Sequence, residues 1–296
     1  MGISGRVIAV VGAGLMLAAG GCSRGEAEKP EAEAKAAESA EATAPGPARL
    51  ESAIPGMVLV ALADLPRSPE TGAVDEYCDG HRGDAESAAG RAVEGRGWIV
   101  TSEAPLGRYR VVSFVSGFDP ATSGICTARN GNIGVFDGDR PVALAYAPSG
   151  SGTIPGRVEA IEGGALLVWG GDYPGPPLGE LRLDGDRPRL TGLAAAQTFC
   201  DRTATVPNVY GLSIEAARTK LIAGGWRPLA PDEAPDPYDR AAELARNGMI
   251  EAQHCSGTGM GYCALRYRGP DGVLEVTTAG DEPPLVLVYG VTCQKG

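Results

Sequence analysis

The chain has 296 residues, of which 44 are glycine and 23 proline, against five methionines and four phenylalanines. This composition argues against a helix-rich fold and predicts many short strands joined by turns. A formal net charge of −11 sets nucleic acid aside as a partner, because phosphate binding needs concentrated Lys and Arg.

Met1–Gly21 carries one positive residue, Arg6, and then the apolar run Val7–Ala19 broken only by glycine. That is the layout of a secretory signal peptide, and it is too short to remain as a spanning helix. The run ends Leu17-Ala18-Ala19-Gly20-Gly21-Cys22, which resembles the lipobox of bacterial lipoproteins, with Ala19 where leucine is usual. The resemblance implies that Cys22 is lipidated, becomes the mature N-terminus and holds the protein to a membrane. An ordinary cleaved leader with a leftover cysteine is the alternative. Ser23 rather than aspartate follows the anchor, which by resemblance to Gram-negative sorting rules favours the outer membrane over the inner, with the chain facing the periplasm.

Residues 22–50 are expected to form a tether. Arg24–Pro47 is built almost wholly from Glu, Ala, Lys, Ser, Thr, Pro and Gly. It cannot bury enough apolar surface to offset the entropy of ordering it. Ala44-Pro45-Gly46-Pro47 stops any transient helix.

Residues 51–198 read as a β-rich domain of sandwich or barrel type. Its predicted strands are Met57–Leu62, Trp98–Ser102, Tyr109–Val115, Ile133–Phe136, Val142–Tyr146, Val158–Ile161, Leu166–Trp169 and Leu181–Leu183. Turn signals separate them at Asn130-Gly131, Asp137-Gly138, Glu162-Gly163-Gly164 and Asp184-Gly185. Ala85–Glu94 is the one predicted helix. Asp119, Asp137, Asp139, Asp172 and Asp184 lack the spaced set of a calcium loop and are read as turn chemistry. Trp98, Trp169 and Trp226 are read first as core aromatics and second as candidate ligand contacts.

Residues 199–296 read as a small α+β domain. Val206-Pro207 enters extended, Gly211 turns the chain and Ser213 caps a helix. That helix buries Ile214, Ala217 and Leu221 on one face, and Gly224-Gly225 stops it. Val206, Pro207, Val209, Gly211, Ser213, Ala217, Leu221 and Gly225 together resemble the PASTA domain of bacterial penicillin-binding proteins and serine/threonine kinases. The resemblance covers about twenty residues. It implies an extracytoplasmic βαβ-type module and, in some relatives, binding of cell-wall fragments. The second half departs from it: Asp236-Pro237 is expected to cap a second helix ending at Asn247-Gly248, where a glutamine-proline strand signal is usual. Ile250–His254, Ala264–Arg268, Val273–Thr278 and Leu285–Tyr289 follow as strands, with a hairpin at Pro270-Asp271-Gly272.

Seven cysteines minus the anchor leave Cys78, Cys126, Cys200, Cys255, Cys263 and Cys293. An even number in an exported chain predicts disulfides, although six cysteines allow 15 connectivities. Cys255 and Cys263 flank a glycine-rich crossing between strands and are expected to pair. Cys78 is assigned to Cys126, and Cys200 to Cys293, the last closing a long loop for about 3 to 4 kcal/mol. No C-x-x-C spacing occurs and the only histidines are His81 and His254, so neither a metal nor any other cofactor is expected. No G-x-S-x-G elbow appears. Gly257-Thr258-Gly259-Met260-Gly261 lacks the lysine of a phosphate loop and is read as a tight crossover. The expectation is a non-enzymatic, lipid-anchored envelope protein that binds a ligand or the cell wall, with peptidoglycan or another envelope protein as candidate partner. A periplasmic hydrolase or hydrolase inhibitor is the alternative.

Overall fold

The computed structural model describes residues 48–70, 76–122, 125–171, 175–257, 259–280 and 283–294. The leader, Cys22 and the tether up to Pro47 lie outside the described residues, as does Asp172. The chain joins the fold at Ala48, whose carbonyl accepts from Ala61 N at 2.8 Å, while Leu50 N donates to Leu59 O at 2.9 Å. The last three residues assigned to the tether are therefore already part of the packed structure.

Short alternating segments make the first layers. β1 (Val58–Ala61) is followed by a 3-10 turn at Glu76–His81 and by α1 (Ala88–Glu94), which begins after its cap Ser87. β2 (Ile99–Leu106), β3 (Tyr109–Val115), a separate hairpin of β4 (Gly117–Pro120) and β5 (Cys126–Arg129), β6 (Asn132–Asp137) and β7 (Arg140–Tyr146) follow. These strands give an antiparallel sheet in the order β1-β7-β6-β3-β2. A second sheet, in the order β11-β10-β9-β8, comprises β8 (Pro155–Ile161), β9 (Ala165–Gly170), β10 (Pro177–Asp184) and β11 (Arg187–Thr191). The two stay open and separate, so the fold is a sandwich and not a barrel.

Side-chain alternation explains why β3 reads as an almost unbroken apolar run. Val111 joins Leu59, Ile133 and Val135 against Val158, Leu166, Val168 and Leu181 of the second sheet. Val112 and Phe114 point the other way, onto Ala89 and Val93 of α1, Leu65 and Trp98. A strand covered on both faces has no polar side to show. β4, β5 and β11 escape the sequence reading because Asp, Pro, Thr and Arg interrupt their apolar pattern.

β12 (Ala196–Phe199) and β13 (Ala204–Pro207) pair as a hairpin, so the expected boundary at 198/199 falls inside a strand. Their turn places three consecutive non-glycine residues in the left-handed region, Cys200 (φ 59), Asp201 (φ 57) and Arg202 (φ 69). Each such residue costs roughly 1–2 kcal/mol. The turn is held by Glu162, whose carboxylate oxygens accept from Asp201 N at 2.9 Å and Arg202 N at 3.0 Å.

α2 (Ile214–Ala223) forms as its sequence demands. Ser213 Oγ accepts from Ala216 N, Ile214, Ala217 and Leu221 are buried, and Gly225 takes φ 89 to end the helix. β14 (Arg227–Pro228) follows. α3 (Arg240–Arg246) is capped by Asp239 and not by Asp236. Asp236 Oδ1 instead accepts from Tyr238 N at 2.9 Å, a local turn that competes with helix initiation. β15 (Ala252–Cys255), β16 (Cys263–Arg268), β17 (Gly272–Ala279) and β18 (Leu285–Cys293) complete a sheet in which β14-β16-β17-β18 run in order and β15 also pairs with β16. The buried face of α2 packs on Leu265, Tyr267, Val276 and Val286 of this sheet.

Two buried contacts fix α2 and its exit. Glu251 is fully buried, and its Oε1 accepts from Arg218 Nε at 2.7 Å and from Tyr267 Oη at 3.0 Å. Burial first, and the Glu251 carboxylate second, push the Tyr267 phenol well above its ordinary range, so it stays a neutral donor. Trp226 donates from Nε1 to Thr205 O at 3.0 Å, and a Cβ placed on Gly269 would come within 2.5 Å of its ring.

Arg218→Ala leaves a buried carboxylate without its cation and should lower stability by about 3 kcal/mol in urea unfolding; a change below the noise of the midpoint would contradict the ion-pair account. Gly269→Ala should destabilise by about 1–3 kcal/mol through overpacking against Trp226, read as a drop in thermal midpoint. Glu162→Ala should speed hydrogen exchange at the amides of Asp201 and Arg202, whereas exchange at Val206 in the same hairpin stays slow.

Candidate functional site

β2 and β8 are the edge strands of different sheets, so their backbone polar groups need partners other than a neighbouring strand. Hydroxyl groups provide them. Ser102 Oγ accepts from Val158 N at 2.8 Å and lies 3.0 Å from Val158 O, while Thr101 Oγ1 donates to Gly156 O at 2.5 Å. Ser113 Oγ, fully buried, sits 2.7 Å from Thr101 Oγ1 and 2.8 Å from Ser102 Oγ. Residues 100–102 carry a register shift in β2 that brings both hydroxyls to this seam.

Beyond the seam the sheets part, and a cleft of about 440 Å³ opens between them. Its floor is backbone. A Cβ on Gly156 would stand 2.5 Å from Gly171 Cα, and one on Gly171 would stand 2.6 Å from the Ala128 methyl group. Only glycine permits this approach of β8, the end of β9 and β5. One wall is Phe118 of β4 with Cys126 and Ala128 of β5; the other is Gly80, His81 and Arg82 at the end of the 3-10 turn. The Cys78–Cys126 disulfide joins those two walls. His81 and Phe118 rings lie 5.7 Å apart.

The β4–β5 hairpin that carries Phe118 is pinned from behind. Arg129 reaches Glu70 Oε2 at 2.6 Å and is also bonded to Asp119, and Ser116 Oγ donates to Glu70 Oε1 at 3.2 Å. The hydrogen bonds to Glu70 and then Asp119 raise the guanidinium above its already high ordinary value. Gly117 makes room for it, since a Cβ there would meet Nη2 at 2.4 Å.

Two arginines face the cleft, Arg82 and Arg157. Arg157 lies over the Trp169 indole, 4.4 Å from its centroid. Their acidic neighbours are loose: Asp79 is 3.9 Å from Arg82 Nε and Glu159 is 3.8 Å from Arg157 Nη1, with Asp79 mostly exposed and the other three side chains a little under half exposed.

Trp98, Trp169 and Trp226 are all buried. Trp98 donates from Nε1 to Pro66 O at 2.7 Å and stands edge-on to Phe114. Trp169 meets Tyr210 edge-on at 5.8 Å, and Tyr210 packs on Tyr289 at 4.3 Å, an aromatic run linking the sandwich to the C-terminal sheet. Burial pushes both phenols well above their ordinary range. Of the three tryptophans, Trp169 alone stands next to the cleft, as the support of Arg157.

All six cysteines assigned to bridges are paired, as Cys78–Cys126, Cys200–Cys293 and Cys255–Cys263. His254 is exposed beside a bridged cysteine. The glycine crossover takes positive φ at Gly259 (73) and Gly261 (61), with Thr258 outside the described residues. Asp137 and Asp139 flank Gly138 (φ 66) in the turn between β6 and β7. Among the described residues no group of three or more His, Cys, Asp or Glu side chains is placed to share a metal ion.

Sequence reasoning missed Arg82, Phe118, Arg157 and the glycine floor. They come from four separated stretches, each ordinary by itself, and only the sheet order brings them together. Set against known protein families, characterised proteins and solved structures, the chain matches none of them.

Proposed function

We propose that this chain is a lipid-anchored protein of the cell envelope that binds a ligand without transforming it. The observation that carries the reading is the pairing of all six cysteines other than Cys22. Disulfides persist in oxidising compartments outside the cytoplasm, and a leader ending at Cys22 supplies both the route there and the anchor. With Cys22 lipidated, every thiol in the chain has an assigned use.

The cleft supports binding over chemistry. Its hydroxyl, Thr101 Oγ1, is committed to Gly156 O, and its sulfur, at Cys126, is bridged to Cys78. The hydroxyl and the sulfur among the described lining residues are therefore already engaged, and the imidazole that lines the cleft, His81, lies against the Phe118 ring. The PASTA-like stretch from Val206 to Gly225 makes peptidoglycan the first partner to test.

Produced in a Gram-negative host, the full chain should partition with outer membranes, and Cys22→Ser should release it to the soluble periplasmic fraction. The purified chain should co-sediment with washed sacculi. Recovery of both forms from the cytoplasm would contradict the anchoring, and clean separation from sacculi would remove the wall as the partner.

A further inference from the structure

We propose that the cleft between the sheets is a carboxylate-binding site for a small ligand with an apolar body. The inference deepens the binding reading above and rests on it for its setting in the envelope.

Charge comes first. In a chain of net charge −11, two residues of one cleft lining carry guanidinium groups, Arg82 and Arg157. Among the described residues neither donates a hydrogen bond to a protein acceptor, and each has only a loose acidic neighbour, at 3.9 Å for Arg82 and 3.8 Å for Arg157. Charge-assisted hydrogen bonds form at about 2.7–2.9 Å, so the donor forks of both arginines are available. Exposed pairs at such separations contribute little, so a carboxylate that meets either fork would displace little. A guanidinium fork matches a carboxylate in a way that a lysine would not.

Preorganisation is the second argument. Arg157 is held against Trp169, which limits the side-chain freedom lost on binding. Arg82 follows a turn that is tied by the Cys78–Cys126 disulfide to the strand carrying Cys126 and Ala128. The floor of Gly156, Gly170 and Gly171 offers no side chain to block a ligand.

The third argument is the wall opposite the charges. Phe118, Ala128 and Cys126 are apolar lining residues that are 7%, 2% and 2% exposed, so a ligand body would make a limited apolar contact, mainly with Phe118, while its carboxylate faced the arginines. A cleft of about 440 Å³ suits a small organic acid or the C-terminal residues of a peptide. Inorganic phosphate would use the charges and ignore the wall.

The test uses N-acetyl-phenylalanine and its uncharged C-terminal amide, titrated into the oxidised full chain and followed by amide chemical shifts. The acid should give saturable shifts at Gly80–Arg82, Gly156–Arg157 and Gly170–Gly171, and the amide should bind at least about tenfold more weakly. Arg157→Gln and Arg82→Gln should each weaken the acid by about tenfold and leave the rest of the spectrum unchanged; Arg157→Lys should recover part of the loss. Equal binding of acid and amide, shifts elsewhere on the protein, or no saturation up to the solubility of the probe would overturn the proposal. Phosphate binding as tightly as the acid would overturn the role of the apolar wall. If the probe fails while sacculi still retain the chain, the cleft assignment falls and the envelope reading stands.

Discussion

The bridge between Cys78 and Cys126 joins a 3-10 turn, which has no strand to pair with, to one arm of a two-stranded hairpin, and both walls of the cleft hang from it. Neither element would hold its place alone: an isolated two-stranded hairpin is marginal in water. The apolar cluster beneath them is small, built on Cys78, Ile99, Val115, Phe118, Cys126 and Ala128. By closing a loop of 48 residues the bridge removes unfolded-state freedom equivalent to roughly 4 kcal/mol, in the part of the fold that packing secures least. The same logic applies at Cys200–Cys293, which ties the left-handed turn after β12 to the end of the last strand.

Polar groups take over where the sheets stop. The hydroxyls of Thr101, Ser102 and Ser113 splice the edges of β2 and β8, and this splice decides how far the sheets run together before they part. Downstream, Glu162 reaches from the turn between β8 and β9 to the turn between β12 and β13, and the Trp169, Tyr210 and Tyr289 rings continue the contact into the C-terminal sheet. The cleft thus opens on a frame set by hydroxyls, glycines and sulfur, while the large apolar residues lie behind it.

Much of the framework was legible because local rules and tertiary packing agree. Ser213, Ile214, Ala217, Leu221 and Gly225 state a capped, one-sided helix without reference to the rest of the chain, and the structure uses each in that role. The longer strands likewise follow from alternation and turn chemistry, and the Cys255–Cys263 bridge from its place across the glycine crossing, whereas the other two pairings are assignments among connectivities that the sequence leaves open. Where the reading slipped, a competing local interaction was invisible in one dimension. Asp236 spends its carboxylate on Tyr238 N, so Asp239 becomes the cap. Ala196–Phe199 has no strand signature of its own and becomes a strand by pairing with Ala204–Pro207. The site was not legible at all. Arg157 is one polar position on an alternating strand, Arg82 follows a turn, and Phe118 sits in a four-residue hairpin arm. Their convergence depends on sheet order, which no spacing in the sequence encodes.

The account depends on sulfur being committed to three particular crosslinks, since these set the compartment, hold the cleft walls and remove the thiols from chemistry. Proteolysis of the unreduced, alkylated protein followed by mass spectrometry of the joined peptides tests this most directly. The account predicts crosslinked peptides for Cys78 with Cys126, Cys200 with Cys293 and Cys255 with Cys263, and no alkylation at any of the six. Alkylated Cys78 or Cys126 in the native protein, or either one joined to a different cysteine, would contradict it.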